Sequence, residues 1–256
     1  MRNWPLTGIR VRTPRVELRW PGPEDLDALA DRAVEGVHRP GFMPFFSQWT
    51  DGSPEQVARR LLQRHWNAMA SWSEQDWTLY LVVVHDGEVI GSQSLGGRDF
   101  GVTGEVLLTS WLALDRQGEG LGGHARAAAL ELAFTGLGAE HALSVVRRGN
   151  DASRGVCRKF GFEPDGTQVN AVRGERAVSD RFRLSRERWE AHRAVTAEVS
   201  GVSAAALELF GVAGHGPARV PAAVSPPSAG TAVPRPALAS VLSGVRSAEE
   251  SDVPAV

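Results

Sequence analysis

The sequence predicts an α+β fold over residues 9–193, a mixed sheet of about six to seven strands, mostly antiparallel and flanked by helices. Three observations predict it. Asp86-Gly87 separates two strand-like runs, which is the strongest short hairpin signal. Residues 105–146 read as strand, glycine loop, helix, strand, the pattern of a parallel crossover. Hairpins feeding such a crossover make an α+β sheet rather than a doubly wound one.

Taken in order, Ile9 to Trp20 alternates Val11, Val16 and Leu18 with Arg and Thr, a first strand interrupted by Pro14 near the sheet edge. Glu24 to Val37 places Leu26, Leu29, Ala30, Ala33, Val34 and Val37 at helical spacing behind an acidic first turn. A loop follows in which Phe42, Met43, Phe45, Phe46 and Trp49 crowd together between His38 and Asp51. Apolar side chains held in a loop mark either a segment folded onto the core or a binding surface. Ser53-Pro54-Glu55-Gln56 is a helix start with a capping Ser and Pro at the first helical position, and Val57, Leu61, Leu62, His65, Trp66 and Met69 form its apolar side. Trp77–Val84 and Glu88–Leu95 are the hairpin strands, and Glu105–Leu114 is the strand that feeds the glycine loop. His141–Val146 is a short strand, Asn150 caps a helix ending at Gly161, and Ala177–Leu184 is a final strand before a helix around 186–193.

From about Ala194 the chain is rich in Ala, Val, Ser and Gly, Phe210 is its one aromatic residue, and seven of the fifteen prolines fall at or beyond Pro217. Residues 194–256 are therefore expected to be a disordered tail, apart from a short helix over 204–210.

Twenty-eight Lys+Arg against 30 Asp+Glu leave a net charge of −2, so no basic surplus drives binding to nucleic acid or an anionic membrane. Cys157 is the lone cysteine, which excludes an internal disulfide framework and a Cys-based zinc site, and no metal is expected. The N-terminus has no apolar signal core and no run is long enough to span a bilayer, so a cytoplasmic protein is expected.

The chemistry is concentrated in Trp111–Gly123, Trp-Leu-Ala-Leu-Asp-Arg-Gln-Gly-Glu-Gly-Leu-Gly-Gly, with a helix-forming run from His124 behind it. Glycines let the backbone approach a ligand, and the first helical turn leaves amides unpaired at its positive end, an anion site suited to phosphate. Gly118, Gly120 and Gly123 also fit the dinucleotide fingerprint, and Arg147-Arg148 would suit a 2′-phosphate, but such a fold wants this unit near the start of a parallel sheet. The Walker loop is excluded because no Gly-Lys-Ser/Thr follows.

Gln117-x-x-Gly120-x-Gly122 resembles the coenzyme A loop of the Gcn5-related N-acetyltransferases (GNAT), and Asn150-x-x-Ser153-x-x-Val156-x-x-Lys159-x-Gly161-Phe162 resembles a later box of that superfamily. Ser110-Trp111-Leu112 is similar to the branch of ribosomal-protein alanine acetyltransferases, the RimJ/RimL type. The resemblance implies a parallel strand pair that splays apart to admit the pantetheine arm. It implies acetyl-CoA or another short acyl-CoA such as succinyl-CoA as co-substrate, held by backbone at Leu112 and Leu114, by amides of Gln117, Gly118, Glu119, Gly120, Leu121, Gly122 and Gly123, and by Asn150. Many relatives carry a tyrosine acid where this chain has Cys157, so Ser153 is the candidate proton donor and Glu105 the first candidate base, with His38 and Asp51 behind it. His38, Phe42, Phe45, Phe46 and Trp49 are the candidate wall of the acceptor pocket.

The expected function is acyl transfer to a primary amine, a protein N-terminus, a lysine or a small molecule, by a monomer or homodimer. A non-catalytic CoA-binding regulatory module is the alternative. A nicotinamide-dependent oxidoreductase is the third reading.

Overall fold

The computed structural model describes Met1 and residues 3–212. Its strands are β1 (Arg10–Arg12), β2 (Glu17–Arg19), β3 (Asp76–His85), β4 (Glu88–Arg98), β5 (Glu105–Leu112), β6 (His141–Arg147), β7 (Glu163–Val172), β8 (Glu175–Ser185) and β9 (Glu198–Ser200). Its helices are α1 (Pro23–Glu35), α2 (Pro54–Ala70), α3 (Phe100–Thr103), α4 (Leu121–Glu131), α5 (Asp151–Lys159), α6 (Arg186–Ala191) and α7 (Ala204–Leu209). The strands form one sheet in the order β7-β8-β6-β5-β4-β3-β2-β1-β9, and every neighbouring pair is antiparallel except β5–β6.

The nine strands exceed the six or seven expected, for local reasons. Ile9–Trp20 folds back on itself around Thr13–Arg15, so one expected strand becomes the hairpin β1–β2 with Val11 opposite Leu18. β7 is an edge strand that alternates no apolar face, begins with Glu-Pro-Asp-Gly and has a register shift between Pro164 and Thr167. It is held by the Arg173-Gly174 turn, where both residues take positive φ, the geometry of a tight hairpin.

Side chains alternate across β3, so that Leu79, Leu81 and Val83 face one layer and Val82 and Val84 the other. The first layer is α4, α5, α6 and α7. The second is α1, α2 and the aromatic loop between them. α2 begins at Ser53, whose side chain accepts from the Gln56 amide while Gln56 reaches back to the Ser53 amide, so this helix start forms as expected.

The boundary at residue 193 is corrected by the structure. β9 pairs antiparallel with β1, Arg10 opposite Ser200, and α7 starts from a Ser203 cap. Phe210 is fully buried, edge-on to Trp77 at 4.7 Å and Trp72 at 5.5 Å between ring centroids, and Trp72 Nε1 donates to the Leu209 carbonyl at 2.8 Å. A composition too poor to build its own core is sufficient to complete an existing one, because the β1 edge offers unpaired backbone and a single phenyl ring fills an aromatic cleft. Gly201 has φ +77°, and a Cβ there would stand 1.8 Å from the Gly8 carbonyl oxygen, so this segment crosses the N-terminal turn at a distance only glycine permits. The expectation for residues 213–256 lies outside the described residues.

Candidate active site

β5 and β6 pair only from Glu105–His141 to Leu107–Leu143. Beyond that each strand keeps its other partner. β5 runs on with β4 to Leu112 opposite Gly91, and β6 runs with β8 to Arg147 opposite Ser179. The Ala113 amide bonds to the Ile90 carbonyl on β4, so alternation turns the backbone groups of Ser110 and Leu112 toward the β6 side beyond the last β5–β6 pair; the Leu112 carbonyl is taken by the Gln117 side chain, and among the described residues the Ser110 backbone groups and the Leu112 amide have no partner there. A cavity of about 110 Å³ occupies this seam, and its walls come from both layers.

At its phosphate-loop end, Leu114–Arg116 form a 3₁₀ turn and the loop rises into α4 with Gly118 and Gly120 at φ +86° and +81°. The Gly123 and His124 amides bond back to the Gly120 carbonyl, at 3.0 and 3.4 Å, leaving the amides of Leu121 and Gly122 at the first helical positions without intrahelical acceptors. Arg15 donates to the Glu119 carbonyl at 2.7 Å, and a Cβ on Gly123 would lie 3.7 Å from Lys159 Nζ. Burial and the neighbouring Arg15 and Lys159 charges lower the His124 pKa. Free amides, a helix N-terminus and converging cations fit a diphosphate.

Three backbone expectations are corrected, the first being the Gly123 amide, which the Gly120 carbonyl takes. The Leu114 amide is taken by the Gly36 carbonyl at 2.9 Å, so Leu114 is not free to bind the arm. Gln117 is a brace: its amide bonds to the Leu114 carbonyl, and its side chain donates to the carbonyls of Val37 and Leu112, both at 2.9 Å. Leu121 is fully buried beneath the loop, and a Cβ on Gly122 would meet Leu112 at 3.7 Å.

On the far side of the seam Asn150 caps α5, its Oδ1 accepting from the Ser153 amide at 3.1 Å, and both residues line the cavity. Cys157 is buried one turn further along. Facing them from α4 is Arg126, which no sequence argument had singled out. Its side chain is 4% exposed, Nη2 reaches Ser110 Oγ at 3.4 Å, and Nε and Nη1 have no hydrogen-bond partner among the described residues. The signal was present in the sequence as a single arginine inside His124-Ala-Arg-Ala-Ala-Ala-Leu, an otherwise apolar helix.

The opposite layer supplies the other half of the cavity. Phe45, Phe46 and Trp49 line it, whereas His38 and Phe42 do not. His38 Nε2 stands 2.9 Å from Thr50 Oγ1 and its ring packs on Phe45, while Phe42 lies under the Arg147 guanidinium at 5.7 Å. Trp49 is packed on Phe45 and Trp111 in the second core layer, so the loop is at once core and wall. Asp51 is held by Arg173 through bonds of 2.9 and 2.5 Å, which pins the loop to the β7–β8 turn and lowers the Asp51 pKa. His65 also lines the cavity, and burial drives its pKa down to about 4.

Glu105 is corrected as a base. It sits at the closed end of the seam, paired with the Arg183 guanidinium, and is not part of the cavity wall. Among the described residues no carboxylate lines the cavity, whose charged and titratable members are Arg64, His65, Tyr80, Arg126 and Arg147.

The sequence profile of the acetyltransferase (GNAT) domain matches residues 15–163, more than half of the chain. The chain belongs to this family. Solved structures share the GNAT fold at low identity. Mycobacterium smegmatis RimJ in complex with CoA-disulfide is 22% identical, with a TM-score of 0.55 over 72% of this chain and 90% of that one. A GCN5-related N-acetyltransferase from Brucella melitensis is 19% identical, with a TM-score of 0.58 over 75% of this chain and 87% of that one. The ribosomal-protein-S5-alanine acetyltransferase from Vibrio fischeri is 16% identical, with a TM-score of 0.53 over 70% and 98%. Among the described residues of this GNAT domain, no group of three or more His, Cys, Asp or Glu is placed to hold a metal ion, and no helix is long and apolar enough to cross a membrane.

Proposed function

We propose that the protein is an N-acyltransferase that moves an acetyl or another short acyl group from acyl-CoA to a primary amine by direct attack. The observation that carries this reading is the β5–β6 seam, a gap with unpaired backbone on the β5 side that leads from a glycine loop ringed by cations to an aromatic-walled cavity. When bound, acyl-CoA supplies the activated carbonyl. The chain's own residues do the rest: amides of Gly118 to Gly122, with Arg15 and Lys159, hold the diphosphate, and the open edge of β5 at Ser110 and the Leu112 amide, opposite Asn150, orients the arm.

In this reading the amine arrives from the side of Phe45, Phe46 and Trp49, and Ser153, which also lines the cavity, passes a proton to the departing group. An α-amine with a pKa near ~8 is partly neutral at physiological pH, so it needs no carboxylate base. His65 lines the same wall, but burial lowers its pKa to about 4, so it stays uncharged at pH 7 and is not assigned as the base. A wall with three arginines and no acid repels a polycation, which favours a mono-amine acceptor, a peptide N-terminus or an amino-acid-like metabolite, over a polyamine.

The test has two arms. CoA or acetyl-CoA raises the melting temperature, because a ligand that binds only the native state stabilises it by mass action. Acetyl-CoA with a panel of amines then releases free thiol. A melting shift with NAD or NADP and none with CoA refutes the reading, and CoA binding with no transfer to any amine leaves a CoA-binding module instead.

A further inference from the structure

Arg126 is a buried cation without an anion. Among the described residues its Nε and Nη1 atoms have no hydrogen-bond partner, Nη2 approaches Ser110 Oγ at 3.4 Å, and no carboxylate lines the cavity it points into. Arginine keeps its charge in proteins, so this site cannot be relieved by losing a proton as a buried lysine is. Burial lowers its pKa, and Cys157 beside it on α5 acts in the opposite sense. The other groups that share this end of the cavity, Ser110 on β5, Ser144 on β6 and Ser153 on α5, are neutral hydroxyls.

The position of the charge is informative. Val106, Leu108 and Leu112 of β5 and Ala142 and Val146 of β6 belong to the α4 layer, so by alternation Ser110 and Ser144 face α4 as well. Arg126 therefore closes the seam from the layer that carries the phosphate loop. The aromatic loop closes it from the other. The two remaining cations on the wall are engaged elsewhere, Arg64 with the Tyr80 hydroxyl at 2.7 Å and Arg147 with the Met43 carbonyl at 2.5 Å.

We propose that Arg126 is a catalytic residue whose guanidinium holds the sulfur of the CoA leaving group as a thiolate. This rests on the acyl-CoA reading above. The amine nitrogen attacks the thioester carbonyl from the aromatic side, a C–N bond forms, the C–S bond breaks, and its electron pair stays on sulfur. The nitrogen's proton goes to solvent or to the cavity wall. The new negative charge then appears on the α4 side, where a fixed, desolvated cation stabilises it without needing to reorganise. Ser153 protonates the thiolate afterwards or leaves it to dissociate as the anion.

The readout is the ionisation of bound CoA, followed by the ultraviolet absorbance of its thiolate as pH is varied, in the wild-type chain and in Arg126→Met. The wild-type complex is expected to titrate at least about one pH unit below free CoA, a tenfold gain in thiolate. Arg126→Met, which replaces the buried charge with an apolar side chain of similar length, is expected to bind CoA through the unchanged glycine loop and to titrate like free CoA. Its kcat is expected to fall at least tenfold with the acyl-CoA KM little changed. A wild-type titration equal to that of free CoA overturns the proposal whether or not the variant folds, and so does a shift that survives in the variant. A preference for succinyl-CoA over acetyl-CoA that disappears in Arg126→Met also overturns it, placing the guanidinium on an acyl carboxylate. Absence of any CoA binding by the wild-type chain refutes the acyl-CoA reading itself.

Discussion

Replacing Phe210 with alanine tests whether the segment after residue 193 is part of the folded unit. The ring is fully buried and meets Trp77 and Trp72 edge-on at 4.7 and 5.5 Å, with the Leu209 carbonyl held by Trp72 Nε1. Truncating a buried phenylalanine costs about 3–5 kcal/mol, the transfer of the ring plus the cavity it leaves. For a domain of this size each kcal/mol lowers Tm by about 2–4 °C, so Phe210→Ala is expected to melt about 6–20 °C below wild type. Glu208→Ala on the exposed side of the same helix is the control, with an effect within about 0.5 kcal/mol. Deleting the chain after Thr196 removes β9 and α7 together with Phe210 and is expected to be worse than the point variant. Thermal unfolding followed by far-ultraviolet circular dichroism decides it. A Phe210→Ala shift under about 2 °C, or a deletion variant that melts like wild type, refutes the reasoning.

Gly120→Leu forces a branched side chain into φ +81° at the start of α4 and is expected to abolish the melting shift given by CoA; a retained shift removes this loop from the phosphate site. Phe46, half-buried on the cavity wall, is a cleaner acceptor probe than the core-packed Trp49, and steady-state kinetics on Phe46→Ala should show a raised amine KM with acetyl-CoA KM little changed. His65 has its folded pKa lowered from 6.5 to about 4, so the folded state disfavours its proton. Its contribution is complete above pH 6.5 and is lost as pH falls toward 4, amounting to about 2 kcal/mol at pH 5. Urea unfolding of wild type and His65→Phe at pH 7.5 and pH 5 measures it: the wild-type loss should exceed that of the variant by roughly that amount, and equal losses would exclude the histidine as its source.

The parts of the fold legible in the sequence are those whose cause is local. Asp86-Gly87 takes positive φ at both residues and closes β3 onto β4, and Ser53 with Gln56 makes the reciprocal cap of α2. The parts that were not legible depend on what a segment meets. β7 opens with Glu-Pro-Asp-Gly and shows no alternating apolar face, and it is a strand because the Arg173-Gly174 turn folds it onto β8, whose own residues pair with β6 on the other side. No strand is expected from the sequence at β9, and α7 is expected as a short helix over 204–210 that does not join the core; both are poor in large apolar residues, and their place is fixed by the β1 edge and by Trp72 and Trp77, residues far away in the chain.

The same distinction governs the site. Glycines at 118 and 120 declare their backbone geometry wherever they occur, so the loop was readable; side-chain roles turn on partners the sequence does not place. Glu105 reads as a free acid at a strand end until Arg183, 78 residues later, neutralises it, and Gln117 reads as a ligand until its amide group is found bridging Val37 and Leu112. Arg126 is the converse case. An arginine in a helix is usually a solvated side chain, with its stem along the surface and its head in water. Here α4 is buried along nearly its whole length, and the two strands in front of it part because each is committed to another neighbour. The charge is thereby delivered into the seam by topology rather than by any motif, and no carboxylate among the described cavity-lining residues meets it there, which is the ground of the role proposed for Arg126.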